Sequence, residues 1–158
     1  MVDSLHYLDD FLLLGPPDYP ICAEVLRILL QLSEELGVLV AGGKTEGPTT
    51  LLEFLGIEID TELLQMRLPQ AKLKDFISRR RQWMREGAIP TPLRSGMKRD
   101  LLSQIGLLNH VATVVKPGQT FLGSLIDASS TVKSLEHHVH LSAHASVDLV
   151  WWYTSYGP

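Results

Sequence analysis

The segment Ser4-Leu5-His6-Tyr7-Leu8-Asp9-Asp10-Phe11-Leu12-Leu13-Leu14-Gly15 constrains this chain more than any other. Two adjacent carboxylates stand between apolar runs, so the segment reads as two short strands that turn back on each other around Leu8-Asp9-Asp10. A consecutive Asp pair on its own marks an ordinary turn or a helix N-cap. Here the flanks are apolar or aromatic, and the run after the turn is continuous, as in strands covered on both faces. Burying two carboxylates without a partner is unfavourable, and a divalent cation held by hard oxygen ligands is a partner that suits them.

The rest of the chain changes period as it goes. A helix is expected next, with Ile21, Val25, Leu29, Leu32 and Leu36 forming an apolar stripe that packs under a sheet. Asp18 is suited to cap it, Pro20 to its first turn and Gly37 to its end. Gly42-Gly43 and Gly47-Pro48 punctuate a loop on either side of Lys44. Leu51 to Ile59 is expected to form a strand in which Gly56 allows another backbone to come close. Beyond Asp60 the spacing is helical. Ala71 to Glu86 predicts a basic helix closed by Gly87, with Pro90 and Pro92 as a hinge. Arg99 to Val115 predicts another, with Leu101, Leu102, Ile105, Leu108 and Ala112 on its apolar face and Pro117-Gly118 at its end.

The hairpin His6-Tyr7-Leu8-Asp9-Asp10-Phe11-Leu12-Leu13 resembles the Tyr-x-Asp-Asp palm motif of reverse transcriptases. The order of later motifs is similar to that family too: Leu36-Gly37-Val38, Gly43-Lys44-Thr45, Gly47-Pro48, then Glu53-Phe54-Leu55-Gly56-Ile57-Glu58-Ile59 in the place of the primer-grip hairpin. Arg67-Leu68-Pro69-Gln70-Ala71-Lys72-Leu73 and Leu101 to His110 resemble a retroelement thumb. Val115 to Leu122 and Trp151-Trp152 resemble the DIRS-like, tyrosine-recombinase retroelements in particular. The likeness spans nearly the whole chain. It implies an α+β fold: a partial palm at 1–62, a mainly helical thumb at 63–131, and a connection at 132–158 toward a ribonuclease H domain.

The same resemblance implies roles residue by residue. Asp9 and Asp10 are the catalytic, metal-binding carboxylates, in an enzyme that uses two Mg2+ ions. Tyr7 lies beneath the primer terminus, or is simply a strand aromatic. Lys44 serves the leaving phosphates, or is a surface loop lysine. Phe54, Leu55 and Gly56 form the primer grip, where shape positions the primer strand, and a core strand is compatible with that. The family's other metal-binding Asp lies upstream of this hairpin, and the fingers precede it, so with Met1 where it is the chain is expected to be inactive alone. The partners implied are an RNA or DNA primer-template, deoxynucleoside triphosphates, and the fingers and ribonuclease H parts of a polyprotein.

Charge is distributed to match. Met1 to Glu62 holds twelve acidic residues against Arg27 and Lys44, a balance of −10, while Leu63 to Pro158 has a balance of +6. Arg67, Lys72, Lys74, Arg79, Arg80, Arg81, Arg85, Arg94, Lys98 and Arg99 form a cationic stretch suited to a phosphate backbone, with Arg79, Arg80 and Arg81 at its centre. A solvated helix face has the same composition.

Two further clusters have competing readings. His140 and His144 fall at a helical i, i+4 spacing that holds zinc in other proteins, yet no cysteine or clear acidic ligand accompanies them. Trp151-Trp152-Tyr153 and Trp83 are either base-stacking aromatics or core anchors, with core favoured. The single Cys22 excludes an intramolecular disulfide. No apolar run approaches a membrane span and no signal peptide is evident, so a soluble intracellular protein without membrane contact is expected. The leading functional reading is a reverse transcriptase fragment. The alternatives are a retroelement remnant that binds nucleic acid without catalysis, and an interaction domain whose acidic and basic halves pair with each other.

Overall fold

The computed structural model describes residues 2–16, 20–85, 91–92 and 95–154, without the side chains of Arg80, Arg81, Gln82, Arg85, Thr91 and Pro92. Asp18, Gly87, Pro90 and Arg94 lie outside the described residues. The chain is α+β, with helices and small antiparallel sheets. It divides into two compact units, Met1–Arg67 and Leu68–Pro158.

The first unit opens with a hairpin, β1 (Asp3–Tyr7) against β2 (Asp10–Leu14). Helix α1 (Ile21–Glu35) packs on β2. It begins after Pro20, which takes the N-cap position, and ends as expected at Gly37. Gly37 adopts φ +71°, its N–H bonds the Glu34 carbonyl, and the Val38 N–H bonds the Ser33 carbonyl at 2.8 Å. These two bonds make a Schellman closure, which requires a left-handed residue at the position glycine fills. A three-stranded sheet follows, in the order β3 (Leu51–Phe54), β4 (Ile57–Asp60), β5 (Gln65–Arg67).

Two expectations fail here. Leu51 to Ile59 is not one strand, because Leu55 and Gly56 form a two-residue turn that pairs Phe54 with Ile57. Both turn residues have positive φ, at 51° and 74°, so Gly56 serves the turn's backbone conformation. The second failure is burial. Of the large apolar residues described in this unit, only Leu12 and Ile57 are buried, and α1 buries none. Its stripe is half-buried at Ile21, Val25 and Leu29 and exposed at Leu32 and Leu36. The hairpin is a two-stranded sheet, and among the described residues no second layer covers β1, so the continuous apolar run is not covered on both faces.

The second unit holds the core. Helix α2 (Gln70–Trp83) is shorter than expected, because Met84-Arg85 forms strand β6, paired with β7 (Thr91–Pro92). Strand β8 (Ser95–Met97) leads into α3 (Lys98–Val111), then a 3-10 turn at Lys116–Phe121 and α4 (Gly123–Ser130). Strand β9 (His138–His140) returns to pair with β8, and α5 (Ala143–Thr154) closes on α4 and the 3-10 turn. Ser142 caps α5 by accepting the Ala145 N–H at 3.1 Å.

Phe76, Trp83, Leu101, Leu108, Leu125, Leu149, Trp152 and Tyr153 fill the interior. The buried face of α3 is Leu101, Gln104, Leu108 and Val111, continued by Ala112, while Leu102 is exposed and Ile105 only half-buried. Trp83 and Trp152 are core residues, and Trp151 is half-buried. Trp152 donates from Nε1 to the Phe121 carbonyl at 3.1 Å, Trp151 stacks on Phe121 at 3.9 Å, and Trp83 is buried. This arrangement leaves the Trp83 and Trp152 rings no exposed face for base stacking.

Candidate functional site

The β1–β2 register pairs Tyr7 with Asp10, His6 with Phe11 and Leu5 with Leu12. The turn is therefore Leu8-Asp9, with Leu8 at φ +56°, and Asp10 is the first residue of β2. Asp9 sits at the apex of a hairpin and Asp10 one residue along its return strand. Both carboxylates are exposed, as are Tyr7 and Phe11 beside them. Two hard oxygen donors on consecutive residues, open to solvent, fit Mg2+ as part of a ligand set. Among the described residues no group of three or more His, Cys, Asp or Glu side chains gathers around one point. The expected burial of the pair is not observed, since the hairpin itself is exposed.

Lys44 ends a 3-10 turn, Gly42–Lys44, which is closed by the Lys44 N–H on the Ala41 carbonyl at 2.9 Å. Its side chain is exposed. Phe54, half-buried, precedes the Leu55-Gly56 turn, so the three primer-grip residues of the resemblance share one hairpin tip.

Next to that tip the sheet carries an ion-pair cluster that sequence reasoning missed. Arg67 Nε pairs with Glu58 Oε1, and Arg67 Nη2 lies 3.3 Å from Asp60 Oδ2. The Asp60 side chain is mostly buried and its Oδ1 accepts the Glu62 and Leu63 N–H groups at 3.1 and 2.9 Å. The hydrogen bond that Arg67 donates to Glu58, with the charges of Glu58 and Asp60, raises the Arg67 pKa above its ordinary value against a smaller opposing effect of burial. The signal was available in the alternation Glu58-x-Asp60 on one strand face opposite Arg67. Arg67 thus belongs electrically to the acidic unit.

Other cations of the basic stretch are also engaged. Arg79 bonds Asp75 Oδ1 at 3.1 Å and Ser103 Oγ at 2.8 Å. Arg99 pairs with Glu136, Lys98 Nζ donates to the Val132 carbonyl, and Lys72 Nζ lies 3.2 Å from His110 Nε2. Lys74 is exposed on α2. The side chains of Arg80 and Arg81 lie outside the described residues, so the structure locates only Arg79 of that trio.

The helical pairing of His140 with His144 does not occur. His140 is in β9, whereas His144 is in α5 beyond the Ser142 cap. No helix among the described residues is long and apolar enough to cross a membrane. Compared with known proteins, the chain matches no family model, and no curated protein matches it.

Proposed function

We propose that the chain is the palm-and-thumb part of an RNA-directed DNA polymerase that extends a primer on a nucleic-acid template from deoxynucleoside triphosphates. The observation that carries this is the two-residue turn Leu8-Asp9, with Asp9 at a hairpin apex, Asp10 on the return strand and Tyr7 paired across from Asp10. Asp9, with Asp10 in support, would hold Mg2+, which when bound would stabilise the attacking hydroxyl and the departing pyrophosphate. The exposed Tyr7 ring offers a surface for the primer terminus, and the tip at Phe54, Leu55 and Gly56 offers a second contact along the primer. Lys44 neutralises charge on the leaving phosphates. Lys74, the exposed cation among the described side chains of α2, contacts phosphates of the duplex.

The test is primer extension on an RNA template by the chain supplied with fingers and an upstream palm segment bearing a third carboxylate. Asp9→Asn is expected to remove nearly all synthesis while primer-template affinity stays within a few-fold. Full synthesis by that variant overturns the metal assignment. Binding of primer-template without any synthesis by the unsubstituted protein favours the non-catalytic alternative.

A further inference from the structure

We propose that the outer face of the β8–β9 ribbon is a copper site, formed by His138 and His140 with the Met97 thioether, and selective for Cu(I).

The register makes the case. In the antiparallel pair His138 lies opposite Met97, His140 opposite Ser95, and Val139 opposite Gly96. Directly paired residues point to the same side of a sheet, and successive residues to opposite sides. Val139 is fully buried, and a Cβ on Gly96 would fall 2.5 Å from Cη2 of the buried Trp83 ring. That pair therefore faces the core. His138, His140 and Met97 occupy the other side, and all three are exposed.

Spacing and ligand type then select the ion. Residues two apart on a strand are separated by roughly 6.5–7 Å, and directly paired Cα atoms by about 4.5–5.5 Å. With those spacings two imidazoles and a thioether on the same face are within reach of one ion. Imidazole accepts zinc, nickel and copper alike, whereas a thioether is a soft donor that favours Cu(I). The Glu136 carboxylate, two residues before His138, would favour harder ions, but Arg99 holds it in an ion pair.

The scaffold is held from behind. The Lys98 N–H bonds the His137 carbonyl at 2.9 Å, the Arg99 N–H bonds the Leu135 carbonyl at 3.1 Å, and Trp83 and Val139 back the ribbon. The backbone that carries the three ligands is therefore fixed before an ion arrives, which lowers the ordering cost of binding.

The experiment is competition of the full chain against a chromophoric Cu(I) chelator under anaerobic conditions, with a parallel Zn(II) titration. One equivalent of Cu(I) is expected to transfer to the protein. The double variant His138→Asn/His140→Asn should lose this uptake, and Met97→Leu should weaken Cu(I) at least tenfold while leaving Zn(II) within twofold. All three residues are exposed, so unchanged circular dichroism is expected throughout and separates loss of ligands from loss of fold. No uptake by the unsubstituted chain overturns the site. Uptake that survives the double variant, which would point to His137 or His144, overturns it too. Equal effects of Met97→Leu on both ions, or none, overturn the selectivity for Cu(I).

Discussion

Gly118 lies against the indole of Trp152 so closely that a Cβ there would fall 2.3 Å from Cη2 and 2.7 Å from Cζ2. The ring cannot swing away, because it is fully buried and its Nε1 is tied to the Phe121 carbonyl. Gly118→Ala is therefore expected to destabilise the second unit by about 1–3 kcal/mol, the usual range for overpacking a closed core. Urea denaturation followed by tryptophan fluorescence measures it, and an unchanged midpoint would show that the ring has room to shift.

The Leu55-Gly56 turn predicts the opposite sign. A leucine at φ 51° carries the left-handed penalty of about 1–2 kcal/mol, and asparagine carries less of it. Leu55→Asn should stabilise the β3–β4 hairpin by about 1 kcal/mol, slowing its amide exchange roughly fivefold. Faster exchange would mean that the partly exposed Leu55 side chain contributes more than its backbone conformation removes.

How much of this was legible in the sequence differs from residue to residue. Gly37 ends its helix, and the two strands around Asp9 form, because turn and cap chemistry is local. The Leu55-Gly56 turn stayed hidden inside an apolar run, since leucine at its first position is not a turn former. The apolar stripe of α1 has the expected spacing, but spacing says nothing of whether a partner layer arrives to cover it. The apolar spacing of α3 points to Leu101, Leu102, Ile105, Leu108 and Ala112, and Leu101, Leu108 and Ala112 are buried. Gln104 turns inward where Leu102 and Ile105 do not, and glutamine is rarely buried. Pairing of β8 with β9 joins residues more than forty positions apart, which no local pattern encodes.

Gln104 offers a direct test of that buried position. It is 1% exposed, and among the described residues neither amide atom has a hydrogen-bond partner. Burying an unpaired amide is unfavourable by about 1–3 kcal/mol, so Gln104→Met, similar in shape and free of that penalty, should stabilise the protein. A rise in melting temperature of about 4–8 °C per kcal/mol is the expected readout for a unit of this size. A fall would indicate that an ordered water or another polar group satisfies the amide in solution.

The engaged and exposed cations separate in their response to salt. If the chain binds duplexes, Lys74→Ala should lower the log-log salt slope by about 0.9, the value for one phosphate contact. Arg67→Ala should leave the slope unchanged, because Glu58 and Asp60 already neutralise that guanidinium. Equal changes for both variants, in titrations of a labelled duplex across several salt concentrations, would refute this division of the basic stretch.

The exposure of the hairpin and α1 has a consequence for order in time. A unit that buries Leu12 and Ile57 as its only large apolar side chains among the described residues has little to oppose local opening, whereas the interior around Leu101, Leu125 and Trp152 opens only with the second unit as a whole. The carboxylates of Asp9 and Asp10 therefore belong to the cooperative unit that unfolds first. Any ligand that closes over this hairpin also contributes to folding it, and its apparent affinity is reduced by the fraction of molecules in which the hairpin is open.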